Sequence, residues 1–319
     1  MILRGLNLGG DCKLPSAPKG QTHLTTDFSD HRSVSFVGRP APLYELDEHF
    51  ARIAHWGFNC LRLLTTWEAV EHAGPGLYDE QYLDYFAEVC RRAGHHGLHV
   101  FIDFHQDVWS RMTGGDGAPG WTFEAAGLDF TKFHQADAAL VMQHNYDPAL
   151  GGRQADYPTM SWGSNYARPA CAIMWTLFFA GADFAPGAAV DGVNIQNFLQ
   201  DHYLGAMRAV AQRVAHLDNV MGFDTLNEPG TGYLEKAMDQ PLVRGQGLTW
   251  TPLEGLAAAS GMTRQLPVIE FGQGVVGAKT VNPTGASIWL PGRSDPFREA
   301  GAWHIDPSGE PVAGHNAFF

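Results

Sequence analysis

The feature that most constrains this chain is an alternation of short apolar runs with amphipathic segments near its amino terminus. Apolar runs at 2–8, 57–64 and 98–104 are separated by two segments, 43–56 and 78–96, in which apolar residues recur at helical spacing. Near-continuous apolar runs are typical of parallel strands that are buried on both faces. Strands that alternate with helices in this way predict an α/β fold with a parallel sheet.

The chain length favours one large domain. A (β/α)8 barrel takes about 250 residues, so 319 residues can hold one barrel with an insertion, and we expect a single barrel-type domain over 1–319. The alternation stops at 105–193, where glycine, proline and aromatic residues dominate. We interpret this stretch as a long insertion after the third strand, because long irregular segments in compact domains are usually functional. A helix at 193–217 and a strand at 220–226 resume the pattern.

Composition and charge exclude several classes of partner. The net charge of -13 disfavours nucleic acid and anionic membrane surfaces. No apolar run reaches the roughly 20 residues that span a bilayer, and the first residues resemble a strand rather than a secretory signal. We therefore expect a cytoplasmic protein with a small-molecule partner and no integral membrane segment. Four widely spaced cysteines without a CxxC pair favour reduced thiols over disulfides: Cys12, Cys60, Cys90 and Cys171.

Polar residues stand where the predicted strands end. The second strand contains Arg62, the third is followed by His105 and Asp107, and the fourth is followed by Asn227 and Glu228. The carboxyl ends of barrel strands are where active sites are built. We therefore expect these five side chains to converge on one site, and their order along successive strands is evidence for an enzyme.

The segment 224–229 (DTLNEP) suggests the chemistry of that site. Glycoside hydrolysis uses a carboxylic acid that stays protonated near neutral pH and a second carboxylate beside the anomeric carbon. Glu228 would be the acid, and the adjacent amide of Asn227 could hold a sugar hydroxyl. Burial or a neighbouring negative charge would keep such an acid protonated. The alternative is that Glu228 is simply an exposed loop acid, which is the usual position of glutamate.

Several segments, in order along the chain, together resemble glycoside hydrolase family 5. The sequence NEP at 227–229 is similar to the fourth-strand motif of that family, and 57–71 looks like its second-strand region. Residues 102–110 (IDFHQDVWS) are similar to the third-strand motif of the glycolipid-cleaving branch, which includes endoglycoceramidases and fungal glucosylceramide and steryl-glucoside hydrolases. Residues 4–13 and 114–121 (GGDGAPGW) also resemble that branch.

The resemblance implies a retaining (β/α)8 enzyme and a role for each matched residue. Glu228 would be the acid/base, Asn227 would bind the substrate's 2-hydroxyl, and Arg62 would orient and charge-balance a partner carboxylate. The glycone would be contacted by His105, Asp107 and Lys13. Two structural alternatives remain. Arg62 could form an ion pair at the bottom of the barrel, and His105 could be a core histidine whose hydrogen bonds are all made within the protein.

Aromatic residues of the insertion suggest an apolar substrate. Trp109 and Trp121 fall inside the matched motifs, and we expect them to contact the substrate as part of an apolar wall for a lipid aglycone. The alternative for the aromatic run 175–179 is an ordinary core helix.

The second carboxylate is hard to find in the sequence. Family members place the nucleophile at the end of the seventh strand, and 268–272 (VIEFG) mimics that motif. Glu270 nevertheless follows Glu228 too closely for the intervening units, which take about 30 residues each. Glu270 is therefore interpreted as a decoy, and we expect the barrel to be incomplete at its carboxyl end, with the last strands and the nucleophile missing.

The sequence therefore predicts a retaining β-glycosidase that hydrolyses a glucosylated lipid or other apolar β-glucoside, without cofactor or metal. One alternative is a catalytically silent or truncated sugar-binding barrel that lacks the nucleophile. A metal-dependent barrel hydrolase is a second alternative, suggested by 15 histidines, but no HExxH motif occurs.

Overall fold

The computed structural model describes residues 2–16, 31–141, 144, 162–242 and 247–319. The strands are β1 (Gly5–Leu8), β2 (Cys60–Thr66), β3 (His99–His105), β4 (Ala189–Val190), β5 (Val193–Asn194), β6 (Val220–Asp224), β7 (Gly247–Leu248), β8 (Arg264–Glu270), β9 (Gly274–Val281), β10 (Trp303–Ile305) and β11 (Pro311–Ala313). The α-helices are α1 (Leu43–His55), α2 (Trp67–Glu71), α3 (Glu80–His95), α4 (Trp121–Ala125), α5 (Pro169–Phe184), α6 (Ile195–Val214), α7 (Pro252–Ala259) and α8 (Pro296–Glu299).

The four strands predicted from the apolar runs form one parallel sheet in the order β1-β2-β3-β6. The prediction of an α/β fold with a parallel sheet is confirmed. The register places Asp103 of β3 opposite Asp224 of β6. Within the described residues, β6 pairs with β3 alone, and its Met221 and Phe223 are 44% and 39% exposed. The sheet therefore ends, in this part of the chain, on strands with an open side.

Helices α1 and α3 form where the periodicity predicted them. Asp79 caps α3 by accepting a hydrogen bond from the backbone N–H of Tyr82 at 2.9 Å, which satisfies one of the free donors of the first turn. Both helices end near glycines with positive φ, Gly57 and Gly97, a conformation that glycine adopts without strain. Their apolar faces pack into the main core with the sheet, and α6 contributes to the same core.

The segment after β3 packs as core rather than as a ligand wall. Helix α5 is buried along most of its length. Its Trp175 and Phe178 meet the ring of Trp109 edge-on, with centroids 5.0 and 5.6 Å apart. The cavity that remains between them is about 20 Å³, room for a single water. The core-helix alternative for residues 175–179 therefore describes most of this run, with Phe179 partly exposed.

The region after β6 departs from the alternating pattern. Strands β7, β8 and β9 form an antiparallel sheet, and β10 pairs antiparallel with β11. None of the helices in the described ranges has the length and apolarity needed to cross a membrane.

Candidate active site

The end of β3 carries a buried cluster of charged groups. His105 is held between two carboxylates: Nδ1 lies 2.7 Å from Asp103 Oδ2, and Nε2 lies 3.3 Å from Asp107 Oδ2. Lys13 follows β1, and its ammonium contacts Asp107 directly. Lys13, His105 and Asp107 are therefore brought together, as the sequence predicted.

These contacts shift the titration of both partners. Burial opposes protonation of His105, but its hydrogen bonds to Asp103 and Asp107 outweigh burial and raise the pKa of His105 to about 9. Burial would raise the pKa of Asp107, yet hydrogen bonds from His105 and Lys13 lower it to about 2. At neutral pH the cluster therefore presents an imidazolium, an ammonium and a carboxylate to a ligand.

Arg62 links the ends of β3 and β6. Its Nη2 lies 3.0 Å from Asp103 Oδ2 and 3.3 Å from Asp224 Oδ2, and it donates a hydrogen bond of 2.9 Å to Asn227 Oδ1. The alternative of an ion pair at the bottom of a barrel does not describe Arg62, because its partners include Asn227 in the loop after β6. The guanidinium instead fixes the side chain of Asn227.

The backbone beside Glu228 is fixed by hydrogen bonds, while its side chain is exposed. Gln106 donates its amide to the carbonyls of Asn227 at 2.6 Å and Glu228 at 2.8 Å, and the Tyr166 hydroxyl donates to the Glu228 carbonyl at 2.8 Å. Glu228 has a φ of 38°, which is unusual for a side chain with a Cβ and a sign of a constrained position. Glu228 lines an open cleft of about 330 Å³, together with Tyr166, Lys236 and the loop around 230.

The exposure of Glu228 differs from what the sequence led us to expect. We expected burial or a neighbouring negative charge to favour the protonated acid, with an exposed loop acid as the alternative, and the described residues leave Glu228 at the surface. The reason is that β6 has an open side in this part of the chain, so no further strand covers the loop that follows it.

The two tryptophans that were predicted to contact the substrate differ in their relation to the charged cluster. Trp109 is 3% exposed and lines the small cavity that also touches His105, with its indole N–H donated to Thr122 Oγ1. Trp121 is 1% exposed and donates its indole N–H to the Glu71 carbonyl at 2.6 Å. Trp121 therefore has almost no free surface to offer a substrate, because its ring packs into the core.

Glu270 occupies a different sheet from the strands that build the cluster. It is the last residue of β8, exposed beside the turn to β9, and accepts a hydrogen bond from Gln273 Nε2 at 2.7 Å. This antiparallel hairpin is unlike the parallel strand that carries the family's nucleophile motif. The interpretation of Glu270 as a decoy fits this placement.

One group of three side chains has the composition of a cation site. Ligand atoms of His105, Asp107 and Asp116 all lie within 4.8 Å of one another. The Lys13 ammonium contacts Asp107 and lies 3.6 Å from Asp116 Oδ2, so a cation of the chain itself already occupies this position. The residues fit an ammonium better than a metal ion, which would have to displace Lys13.

Comparisons with known proteins show which family the chain resembles. The family model for cellulase (glycosyl hydrolase family 5) matches residues 19–152. Glucosylceramidase from Aspergillus fumigatus is 40% identical over 96% of this chain and 41% of its own, and ergosteryl-beta-glucosidase from Saccharomyces cerevisiae is 34% identical over 97% and 44%. The crystal structure of sterylglucosidase 1 from Cryptococcus neoformans superposes with a TM-score of 0.88 at 33% identity, covering 99% of this chain and 48% of that one.

The chain belongs to glycoside hydrolase family 5. Its fold class is accordingly the (β/α)8 barrel, and the four-stranded parallel sheet is the part of that barrel found in the described residues. The chain spans less than half the length of the relatives named above.

Three site residues were missed in the sequence. Asp103 and Asp116 are buried carboxylates of the cluster, and Gln106 carries the contacts to the loop after β6. Asp103 could have been recognised, because a lone charged residue inside an apolar strand needs a buried partner. Gln106 and Asp116 have no comparable signal, since their partners are distant in sequence.

Proposed function

We propose that this family 5 chain is a single barrel-type domain that supplies the sugar-binding and acid/base residues of a retaining β-glycosidase acting on a glucosylated lipid or other apolar β-glucoside. The observation that supports it best is the Arg62–Asn227 hydrogen bond of 2.9 Å, which joins the acid-bearing loop to the charged cluster. Lys13, His105 and Asp107 would hold the hydroxyls of the glycone, and Asn227 would hold the 2-hydroxyl, a contact that strengthens in the transition state.

Glu228 would donate a proton to the leaving oxygen and later remove one from water. The open cleft beside its carboxylate leaves room for the leaving group. The lipid character of that group is supported by the names of the relatives, glucosylceramidase and ergosteryl-beta-glucosidase. The buried tryptophans of the insertion do not support it. Retention also requires a carboxylate about 5 Å from the acid, and the position of Glu270 in a separate hairpin argues for another residue.

The experiment compares the chain with Glu228→Gln and Glu270→Gln on glucosylceramide and on a β-glucoside with a poor leaving group. Glu228→Gln should reduce turnover about 100-fold or more, the usual contribution of a general acid, and leave binding of a neutral glucose-configured lactam unchanged. Glu270→Gln is the matched control and should retain activity. If Glu270→Gln lost activity while Glu228→Gln kept it, the catalytic carboxylate would be Glu270 and not Glu228.

A second candidate is sugar binding without turnover, favoured by the placement of Glu270 away from the parallel sheet. Lactam binding by the chain without hydrolysis of either substrate, and unchanged in Glu228→Gln, would establish it. Activity that persists in excess chelator would set the metal-dependent alternative aside.

A further inference from the structure

Asp116 lies against Asp107 in a part of the loop that cannot easily rearrange. The backbone N–H of each residue donates to the carbonyl of the other at 3.1 Å, so the two segments form a short antiparallel bridge. A side chain on Gly115 would overlap the Asp107 carbonyl, and Gly117 has a φ of 121°, which disfavours any other residue. The two carboxyl groups therefore face each other because the main chain fixes them there.

The side chain of Asp116 is almost completely buried. Its Oδ1 has no hydrogen-bond partner among the described residues, and its Oδ2 faces the Lys13 ammonium at 3.6 Å. The charged groups around it are Lys13, which follows β1, and His105 and Asp107 at the end of β3. Two ionised carboxylates so close together in a buried site would repel each other, unless one of them carries a proton.

We propose that Asp116 is a positioning residue: as a neutral carboxylic acid it donates its O–H to Asp107, and so fixes the Asp107 carboxylate and the Lys13 ammonium toward a sugar hydroxyl. The inference rests on the proposed function, because it assigns Asp107 and Lys13 to the glycone. The protonated state agrees with the pKa of Asp116, which burial raises to about 8 against the charges of Lys13 and His105. Asp107 has the opposite shift, as expected for a pair that shares one proton.

The proton can be observed directly in the ligand-free chain. Infrared spectroscopy should detect a buried carboxylic acid at pH 6 that ionises near pH 8 and is missing in Asp116→Asn. Asp11→Asn is the matched control, because Asp11 lies two residues from Lys13 but is exposed and paired with Arg39. A native chain without a carboxylic acid that ionises in this range would overturn the proposal.

The positioning role is tested by calorimetry with the neutral glucose-configured lactam between pH 6 and pH 9. Native affinity should fall as pH rises through 8, because the ionised Asp116 repels Asp107 and attracts Lys13 away from the ligand. Asp116→Asn keeps an uncharged donor, so it should bind as the native chain does at pH 6 and lose the fall centred near pH 8, which leaves only the fall that deprotonation of His105 gives near pH 9. Asp116→Ala lacks the donor and should bind at least about tenfold more weakly.

The outcomes separate the inference from the proposed function. Native binding that is flat from pH 6 to pH 9, or equal loss in Asp116→Asn and Asp116→Ala, would overturn the role of Asp116 and leave the glycone site standing. Failure of the native chain to bind the lactam at pH 6, while its infrared signal is present, would instead contradict the glycone site itself.

Discussion

The ends of β3 and β6 carry the two halves of the candidate site, and they are built differently. At the end of β3, Asp103, His105 and Asp107 are buried and connected by hydrogen bonds to one another. At the end of β6, Asp224 is half-buried and Glu228 is exposed, with only its backbone fixed. Both strands are parallel neighbours in one sheet, so the strand type does not explain the contrast.

The difference comes from what covers each strand. Strand β3 has neighbours on both sides, whereas β6 has one neighbour among the described residues. Ion pairs in a low dielectric are strong and costly to break, whereas exposed pairs contribute little. The charged cluster at the end of β3 is therefore preorganised by this part of the chain, and the surroundings of Glu228 depend on whatever else borders the open side of β6.

The largest expected effect on stability is the difference between removing Asp103 and removing Asp224, the two aspartates that contact Arg62. Asp103 is 0% exposed in its side chain and also holds His105, so Asp103→Ala should reduce the free energy of unfolding by about 3–5 kcal/mol, because it removes the most deeply buried carboxylate from two cations at once. Asp224→Ala, the matched change on β6, should cost less than about 1 kcal/mol, because that side chain is 30% exposed. Urea denaturation measures both. Equal costs would mean that the two strand ends are equally buried in solution.

The next largest effect should be a pH dependence of stability that comes from the charged cluster at the end of β3. His105 has a folded pKa of about 9, above its ordinary value of 6.5, so its stabilising contribution is complete below pH 6.5 and lost as pH rises through 9. Asp116, with a folded pKa of about 8, also favours the folded state less as pH rises from 4 to 8. Thermal unfolding should therefore give a higher Tm at pH 6 than at pH 9. His105→Gln should remove the slope above pH 8 and reduce it between pH 6.5 and pH 8, where Asp116 also contributes. An unchanged slope in that variant would assign it to other groups.

The smallest effect on the free energy of unfolding is expected at Glu228. Glu228→Ala should change the free energy of unfolding by no more than about 0.5 kcal/mol, because this exposed side chain has no hydrogen-bond partner among the described residues and its removal leaves nothing unsatisfied. Chemical denaturation should measure the free energy of unfolding of Glu228→Ala, with Asp103→Ala measured in the same experiment for comparison. A cost above about 2 kcal/mol would show that the carboxylate is buried in solution, and the contrast between the strand ends would disappear.

Much of the region with alternating strands and helices could be predicted, because the sequence patterns that indicate its elements lie within the elements themselves. The helix predicted at 43–56 is α1, and the helix at 78–96 is α3, with boundaries that differ by one or two residues. The helix at 193–217 is α6, which is shorter at both ends. Apolar periodicity determines such elements within a few turns of chain, and the caps that set their exact ends are weaker signals.

The parts that escaped prediction depend on distant contacts. The antiparallel pairing of β8 with β9 turns an apparent barrel motif at Glu270 into a hairpin, and no local pattern distinguishes the two. Trp121 lies in a motif of the family, yet its indole is directed to the Glu71 carbonyl in the core. Convergence of Lys13 with Asp107 was implied by the family resemblance, whereas Asp116 required the bridge between the two ends of its loop.

The hydrogen bonds of Gln106 have a consequence for how the acid can move. They hold the peptide groups on either side of residue 228 and do not involve its carboxylate. Side-chain torsions at such a position can change in picoseconds to nanoseconds while the Cα atom stays in place. In the function proposed for Glu228, a carboxyl group carried in this way could turn from a departing oxygen to an arriving water between two chemical steps, and neither the strand nor the loop would have to shift.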